Sequence, residues 1–143
     1  MTVITKVNSG GEFEARYSYS RVVMVDNWIF TSNCAGINPE TGRFSSDPVE
    51  QARQTLRNLE HALAQVGSNF SDVIRRTVRI PNRQDLFPIM ECVGAAFKGI
   101  EPASTVTCSP LGSDEYKLEI ELIAYKGGGS QQQTRIRSKL FGD

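Results

Sequence analysis

Apolar positions along the chain follow two periods. From Pro48 to Gly67, Val49, Ala52, Leu56, Leu59, Leu63 and Val66 recur every three or four residues, the spacing of a helix with one apolar face. Asp47 stands at the N-cap, Pro48 suits the first helical position, Glu50 is placed to complete a capping box, and Gly67 supplies the stop. A second stripe, Leu86, Ile89, Met90, Val93 and Phe97, predicts a helix from about Asp85 to Gly99, with Pro88 tolerated in its first turn. Elsewhere the period is two. Tyr116 to Tyr125 sets Leu118, Ile120, Leu122 and Ala124 against Glu119, Glu121, Ile123 and Tyr125. Asp72 to Ile80 sets Ile74, Arg76, Val78 and Ile80 against Arg75, Thr77 and Arg79. Tyr19–Val25 and Trp28–Ser32, joined by Asp26-Asn27, read as a hairpin, because Asp and Asn tolerate the positive φ of a tight turn. Shorter strands are predicted at Val3–Val7 and Ser104–Cys108. The order β-β-β-α-β-α-β-β predicts an α+β sandwich, a mixed sheet with two helices on one face.

The 143 residues make one ordinary domain, expected over 1–126 and followed by a Gly-rich linker and basic tail over 127–143. Sixteen basic residues balance sixteen acidic ones, so the excess positive charge of a phosphate-reading protein is missing, and a nucleic-acid partner is not expected. No apolar run approaches the roughly 20 residues of a membrane span, and the opening residues lack a secretory apolar core. The expected setting is cytoplasmic, with no membrane partner. Cys34, Cys92 and Cys108 are odd in number and far apart, so neither a disulfide framework nor a zinc site is supported. His61 is the one histidine and lies off the apolar stripe of its helix, which disfavours Ser-His or Cys-His nucleophile systems.

More specific information lies in the local motifs. Tyr19-Ser20-Arg21-Val22, Trp28-Ile29-Phe30-Thr31-Ser32 and Asn38-Pro39-Glu40-Thr41-Gly42 come in order, followed by Gln51 to Leu59 and Asp72-Val73-Ile74. Phe97-Lys98-Gly99, Pro102-Ala103-Ser104 and Glu119 to Ala124 complete the series. Together they resemble the Rid (YjgF-type) family of reactive-intermediate deaminases, also labelled endoribonuclease L-PSP-like. The resemblance implies a chorismate-mutase-like fold and a homotrimer with small-molecule clefts between neighbouring subunits. It implies no metal or cofactor, because an imine is already electrophilic.

In active members of that family an arginine after Pro-Ala forks onto the substrate carboxylate, and a glutamate fifteen residues later orients the attacking water. Here Ser104 follows Pro102-Ala103, and Glu119 lies fifteen residues on. The register holds and the arginine is missing. A hydroxyl is no bidentate cation, and losing such a desolvated pair costs on the order of 2–5 kcal/mol of binding. Asn33 stands where a glycine is usual, and Met90 where active relatives carry asparagine. The resemblance thus carries Glu119 as catalytic residue and Tyr19, Ser32, Asn33 and Ser104 as substrate-binding residues, with Cys34 a possible reactive thiol. The expectation is a divergent member, a hydrolase or deaminase of imine, enamine or related carbonyl compounds, with the usual imine deaminase activity weak or absent. The alternatives are a non-enzymatic ligand-binding or chaperone-like trimer and an RNA-cleaving protein. Arg75, Arg76 and Arg79 read as surface or interface ion-pair residues.

Overall fold

The computed structural model describes residues 1–141. Six strands form one path, β1-β2-β3-β7-β5-β6, from β1 (Ile4–Val7), β2 (Val22–Val25), β3 (Trp28–Thr31), β5 (Val73–Arg79), β6 (Ala103–Thr107) and β7 (Glu119–Tyr125). A two-residue strand, β4 (Cys34–Ala35), pairs with β7 beyond the end of β3. All pairings are antiparallel except β5 with β6, so the sheet is mixed as the element order predicts.

Helices α2 (Pro48–Ala64) and α3 (Leu86–Ala96) contribute the apolar residues that the pattern assigns to the core. Ala52, Leu56, Leu59, Leu63 and Val66 from α2 and its end, and Ile89, Val93 and Phe97 from α3 and its end, join one buried cluster. That cluster includes Leu118, Ile120, Leu122 and Ala124 of β7. The Asp47 carboxylate accepts the Val49 N–H at 2.9 Å, the expected cap. The capping box does not close: Glu50 pairs with Arg53, and the Asp47 N–H donates to Ser45 Oγ at 3.1 Å. Gly67 adopts φ +72°, the left-handed stop. Asp26 takes φ 51° in the β2–β3 turn, as the hairpin requires.

Further departures from the periodic reading lie in short or irregular segments, β4 among them. A six-residue helix, α1 (Glu12–Tyr17), stands between β1 and β2 where only a turn-rich stretch is legible. In β5 a bulge lets Val73 pair with Ala124 and Arg75 with Ile123, so two steps on β5 match one on β7. The extra residue, Ile74, is pushed out to solvent, and Val73 takes the buried position. Beyond the bulge the alternation is as predicted. Arg76, Val78 and Ile80 lie on the helix side, and Arg75, Thr77 and Arg79 on the open face.

Two buried polar side chains tie loops to this frame. Gln51 Nε2 donates to the Ser45 and Glu115 carbonyls, both at 2.7 Å, and its Oε1 accepts the Lys117 N–H at 2.9 Å. A Cβ on Gly36 would lie 2.5 Å from the Gln51 carbonyl oxygen, so only glycine lets the chain after β4 touch α2. Asp72 accepts the Gly129 N–H at 2.9 Å and the Ser68 hydroxyl at 2.7 Å. The expected Gly-rich linker therefore begins as a 3-10 turn, Gly128–Ser130, folded back on the domain. Residues of the basic tail after 130 are exposed, with Arg135 paired to Glu101 at 3.2 Å; Gly142 and Asp143 lie outside the described residues.

Burial alone would raise the Asp72 carboxyl, but hydrogen bonds from Gly129 and Ser68 outweigh it and hold the group below its ordinary value. A depressed carboxyl stabilises the fold fully above its unfolded pKa of about 4, and the contribution is lost as pH falls through the folded value. Urea midpoints are expected to drop below pH 4, and Asp72→Asn is expected to flatten that drop while lowering the midpoint at pH 7. An unchanged acid limb in the variant would refute the assignment.

Candidate functional site

The open face of the sheet follows from register. Val23 pairs with Phe30 and Phe30 with Ile123; Val25 pairs with Trp28 and Trp28 with Tyr125. Paired residues share a face, so these side chains form one apolar field opposite the helices. Trp28 and Tyr125 meet edge to face at 5.1 Å. The next rows of this face are charged, with Thr77 opposite Glu121 and Arg79 opposite Glu119.

At the charged end lies a compact polar group. Arg79 donates from Nη1 to Asn33 Oδ1 at 2.9 Å and from Nη2 to Glu121 Oε1 at 3.0 Å. Arg21 donates from Nη1 to the Asn33 carbonyl, and its guanidinium lies over the Tyr19 ring at 5.7 Å. Behind it, the buried Glu14 carboxylate stands 3.8 Å from Arg21 Nε and accepts the Ser9 N–H at 2.9 Å. Burial would raise the Glu14 carboxyl, but bonds from Ser9 and the Arg21 charge hold it low. Glu14 is thus the fixed counter-ion of Arg21.

Glu119 is half-buried beside this group, and β4 places Ala35 directly opposite it. Burial pushes its carboxyl above the usual glutamate value; the charges of Arg79 and Arg21 oppose the shift without cancelling it. A carboxyl raised in this way next to organised cations is suited to taking and returning a proton. Burial likewise raises the phenol of the adjacent Tyr116, with Glu119 and Tyr19 adding to the shift.

Tyr19, Asn33 and Glu119 are therefore brought together. Ser32 is close in sequence, but its hydroxyl donates to the Ser20 carbonyl at 2.7 Å, which leaves only an acceptor for a ligand. Cys34 points into the core opposite Ile120, and burial pushes its thiol up to about 11. That burial disfavours the thiolate, the reactive form, and the side chain packs in the apolar cluster.

Ser104 is the residue that does not join. In the parallel β5–β6 pairing it stands beside Arg76, on the helix side of the sheet, whereas Glu119 stands on the open face. Its hydroxyl accepts from Arg76 Nε at 3.0 Å. Within one chain, Ser104 and Glu119 thus lie on opposite faces of the sheet. Sequence reasoning missed Arg21 and Glu14 altogether and left Arg79 among generic surface arginines. Alternation does give Arg79 the open face, but its pairing with Asn33 requires knowing that β4 and β5 flank β7. Among the described residues no cluster of His, Cys, Asp and Glu is arranged to hold a metal, and no helix is long and apolar enough to cross a membrane.

Comparison with known proteins places the chain in a class. The family profile described as Endoribonuclease L-PSP matches residues 10–126. The 2-iminobutanoate/2-iminopropanoate deaminase of Mus musculus is 34% identical over 131 residues, covering 88% of this chain and 95% of the relative. The Homo sapiens deaminase of the same name is 34% identical over 113 residues, covering 76% and 80%. Among solved structures, Rv2704 of Mycobacterium tuberculosis, described as a YjgF/YER057c/UK114 family member, superposes with a TM-score of 0.78 at 29% identity, covering 86% of this chain and 99% of that one. The E. coli YjgF gene product gives 0.70 at 29% identity, covering 75% and 87%. The chain belongs to the YjgF/Rid (endoribonuclease L-PSP) family.

Proposed function

We propose that the protein is a cytoplasmic hydrolase of small imines or enamines, working in clefts formed between copies of the chain, with Glu119 as the proton-handling group. The observation that carries the reading is Glu119 itself. It is a half-buried carboxyl with a raised pKa, set beside Arg21 and Arg79, at the position where the resemblance puts the water-orienting glutamate. The deaminase names of the 34%-identical relatives point to the same chemistry.

In this scheme Glu119 takes a proton from water as the water oxygen bonds to the imine carbon. Glu119 passes that proton to the nitrogen, giving a neutral carbinolamine; the carbinolamine hydroxyl proton then moves to the nitrogen by way of Glu119 as the C–N bond breaks, so that ammonia leaves with a carbonyl product and Glu119 is ionised again. One water is consumed and the electron count is unchanged, so no redox partner is needed. Tyr19 and the Asn33 amide line the approach to Glu119.

The second half of the cleft comes from another copy, because Ser104 and Glu119 occupy opposite faces of one sheet. A trimer that apposes the open face of one copy to the β6 edge of the next unites the two halves. The test is ammonia release from 2-iminopropanoate and 2-iminobutanoate generated in situ. With no arginine at 104, turnover of these two imines is expected to be weak and to depend on another cation. Imine decay no faster than the uncatalysed rate, and unchanged in Glu119→Gln, would sink the hydrolase reading.

A further inference from the structure

We infer that Arg76, reaching from the strand beside Ser104, is the cation that anchors the carboxylate of the substrate. The inference rests on the cleft reading above and names the residue that fills its missing charge.

Register supplies the placement. Arg76 and Ser104 are partners in the parallel β5–β6 pairing, so their side chains leave the same face of the sheet at the same level. The Arg76 Nε–H donates to Ser104 Oγ at 3.0 Å, which ties the guanidinium group to the site of the absent arginine. Its Cζ lies over the Phe97 ring at 5.2 Å, and Phe97 is itself stacked on Phe70 at 4.8 Å. The head group is therefore held at one end by a hydroxyl and across its face by a buried ring, which limits the entropy lost when it binds.

Charge bookkeeping separates Arg76 from the other strand arginines. Arg79 is spent on Glu121 and Asn33, and Arg21 on Glu14 and the Asn33 carbonyl. Arg75 bonds Thr105 on the open face, away from Ser104. Among the described residues Arg76 has no carboxylate within ion-pair distance. A half-buried guanidinium without a counter-ion is desolvated at a cost, and an incoming carboxylate removes that cost.

Space is available too. Arg76 borders an open surface depression of about 330 Å³, lined also by Ala95, Phe97, Lys98, Glu101 and Pro102, enough room for a small metabolite. Glu101 is the acidic group on its wall, and Arg135 holds it at 3.2 Å. Lys98 adds a second positive charge. The pocket is thus cationic on balance, apolar on the Phe97 side, and matched to a short-chain carboxylate.

The experiment measures binding of 2-oxobutanoate, the stable keto acid released from 2-iminobutanoate, by isothermal titration calorimetry, with the uncharged 2-oxobutanamide in parallel. Arg76→Gln keeps an N–H donor at the bond count of Nε, the atom that meets Ser104, while removing the charge and the terminal fork. It is expected to weaken 2-oxobutanoate roughly 100-fold and the amide only a few-fold. Arg76→Lys is expected to fall between, and Arg76→Gln/Ser104→Arg to recover most of the affinity by returning the fork to position 104. Equal 2-oxobutanoate affinity in wild type and Arg76→Gln, or no wild-type binding at millimolar ligand, overturns the inference. If wild type hydrolyses imines and Arg76→Gln does so equally well, the hydrolase reading stands and Arg76 is wrong. If hydrolysis is absent but binding is lost with Arg76, the anion site stands and the hydrolase reading falls.

Discussion

Glu119→Gln is expected to lower kcat for imine hydrolysis at least about 100-fold while leaving the fold and the association of copies intact. Gln keeps the size and one acceptor but has no charge with which to take a proton. Periodicity does not choose between Glu119 and Glu121, which share a face. The structure does: Glu121 Oε1 is held by Arg79 Nη2 at 3.0 Å, whereas among the described residues Glu119 has no ion-pair partner. Glu121→Gln is therefore expected to act indirectly, by loosening Arg79, with a few-fold effect. The pH profile of kcat/KM adds a second readout. Because burial raises the Glu119 carboxyl, the acid limb should lie above the ordinary glutamate value. Activity is present above that limb and lost as pH falls through it. Arg79→Leu removes a charge that opposes the shift and should move the limb further up. A damaging Glu121→Gln with a silent Glu119→Gln would show that the fifteen-residue register is misread.

Where sequence and structure agree, the signal is repetition over a whole element. The α2 stripe spans more than four turns and the β7 alternation covers seven residues, so tertiary context had little room to override them. The hairpin was legible for a local reason, the Asp26 position at positive φ. Failures came where one residue decides. The bulge at Ile74 adds a single step and reverses its face, which no alternation count reveals. Helix α1 is six residues long, too short for a 3.6 period to show, and it follows two glycines. The site divides in the same way. Glu119 was singled out because the family resemblance fixes a distance from Pro102-Ala103, and that distance can be counted along the chain. The Arg79–Asn33 and Arg76–Ser104 contacts depend on which strands are neighbours, 46 and 28 residues apart in sequence. That information lies in the topology, which the family resemblance implies and the residue pattern does not.

Phe30→Asp is expected to dissociate the assembly into single folded chains at micromolar concentration, read as sedimenting mass. Phe30 is 43% exposed and lies between Val23 and Ile123 in the middle of the open face, with Trp28, 46% exposed, two residues away. Its neighbours Val23, Val25, Ile123 and Tyr125 continue the apolar field, and among the described residues Trp28, Phe30 and Tyr125 stay exposed on it. An apolar sheet face of this kind on a chain of zero net charge favours self-association. A carboxylate buried there without a partner costs several kcal/mol, enough to shift the association constant by a factor of about 1,000. Phe87→Asp is the matched control: Phe87 is 75% exposed on α3, away from this face, and the same charge should leave the mass unchanged. The wild type should sediment near three chains. The activity must follow the mass, because Glu119 lies on the open face and Arg76 and Ser104 on the helix side of the same sheet. A folded Phe30→Asp monomer that retained full hydrolysis would mean that the two halves never needed each other, and the cleft between copies would have to be given up.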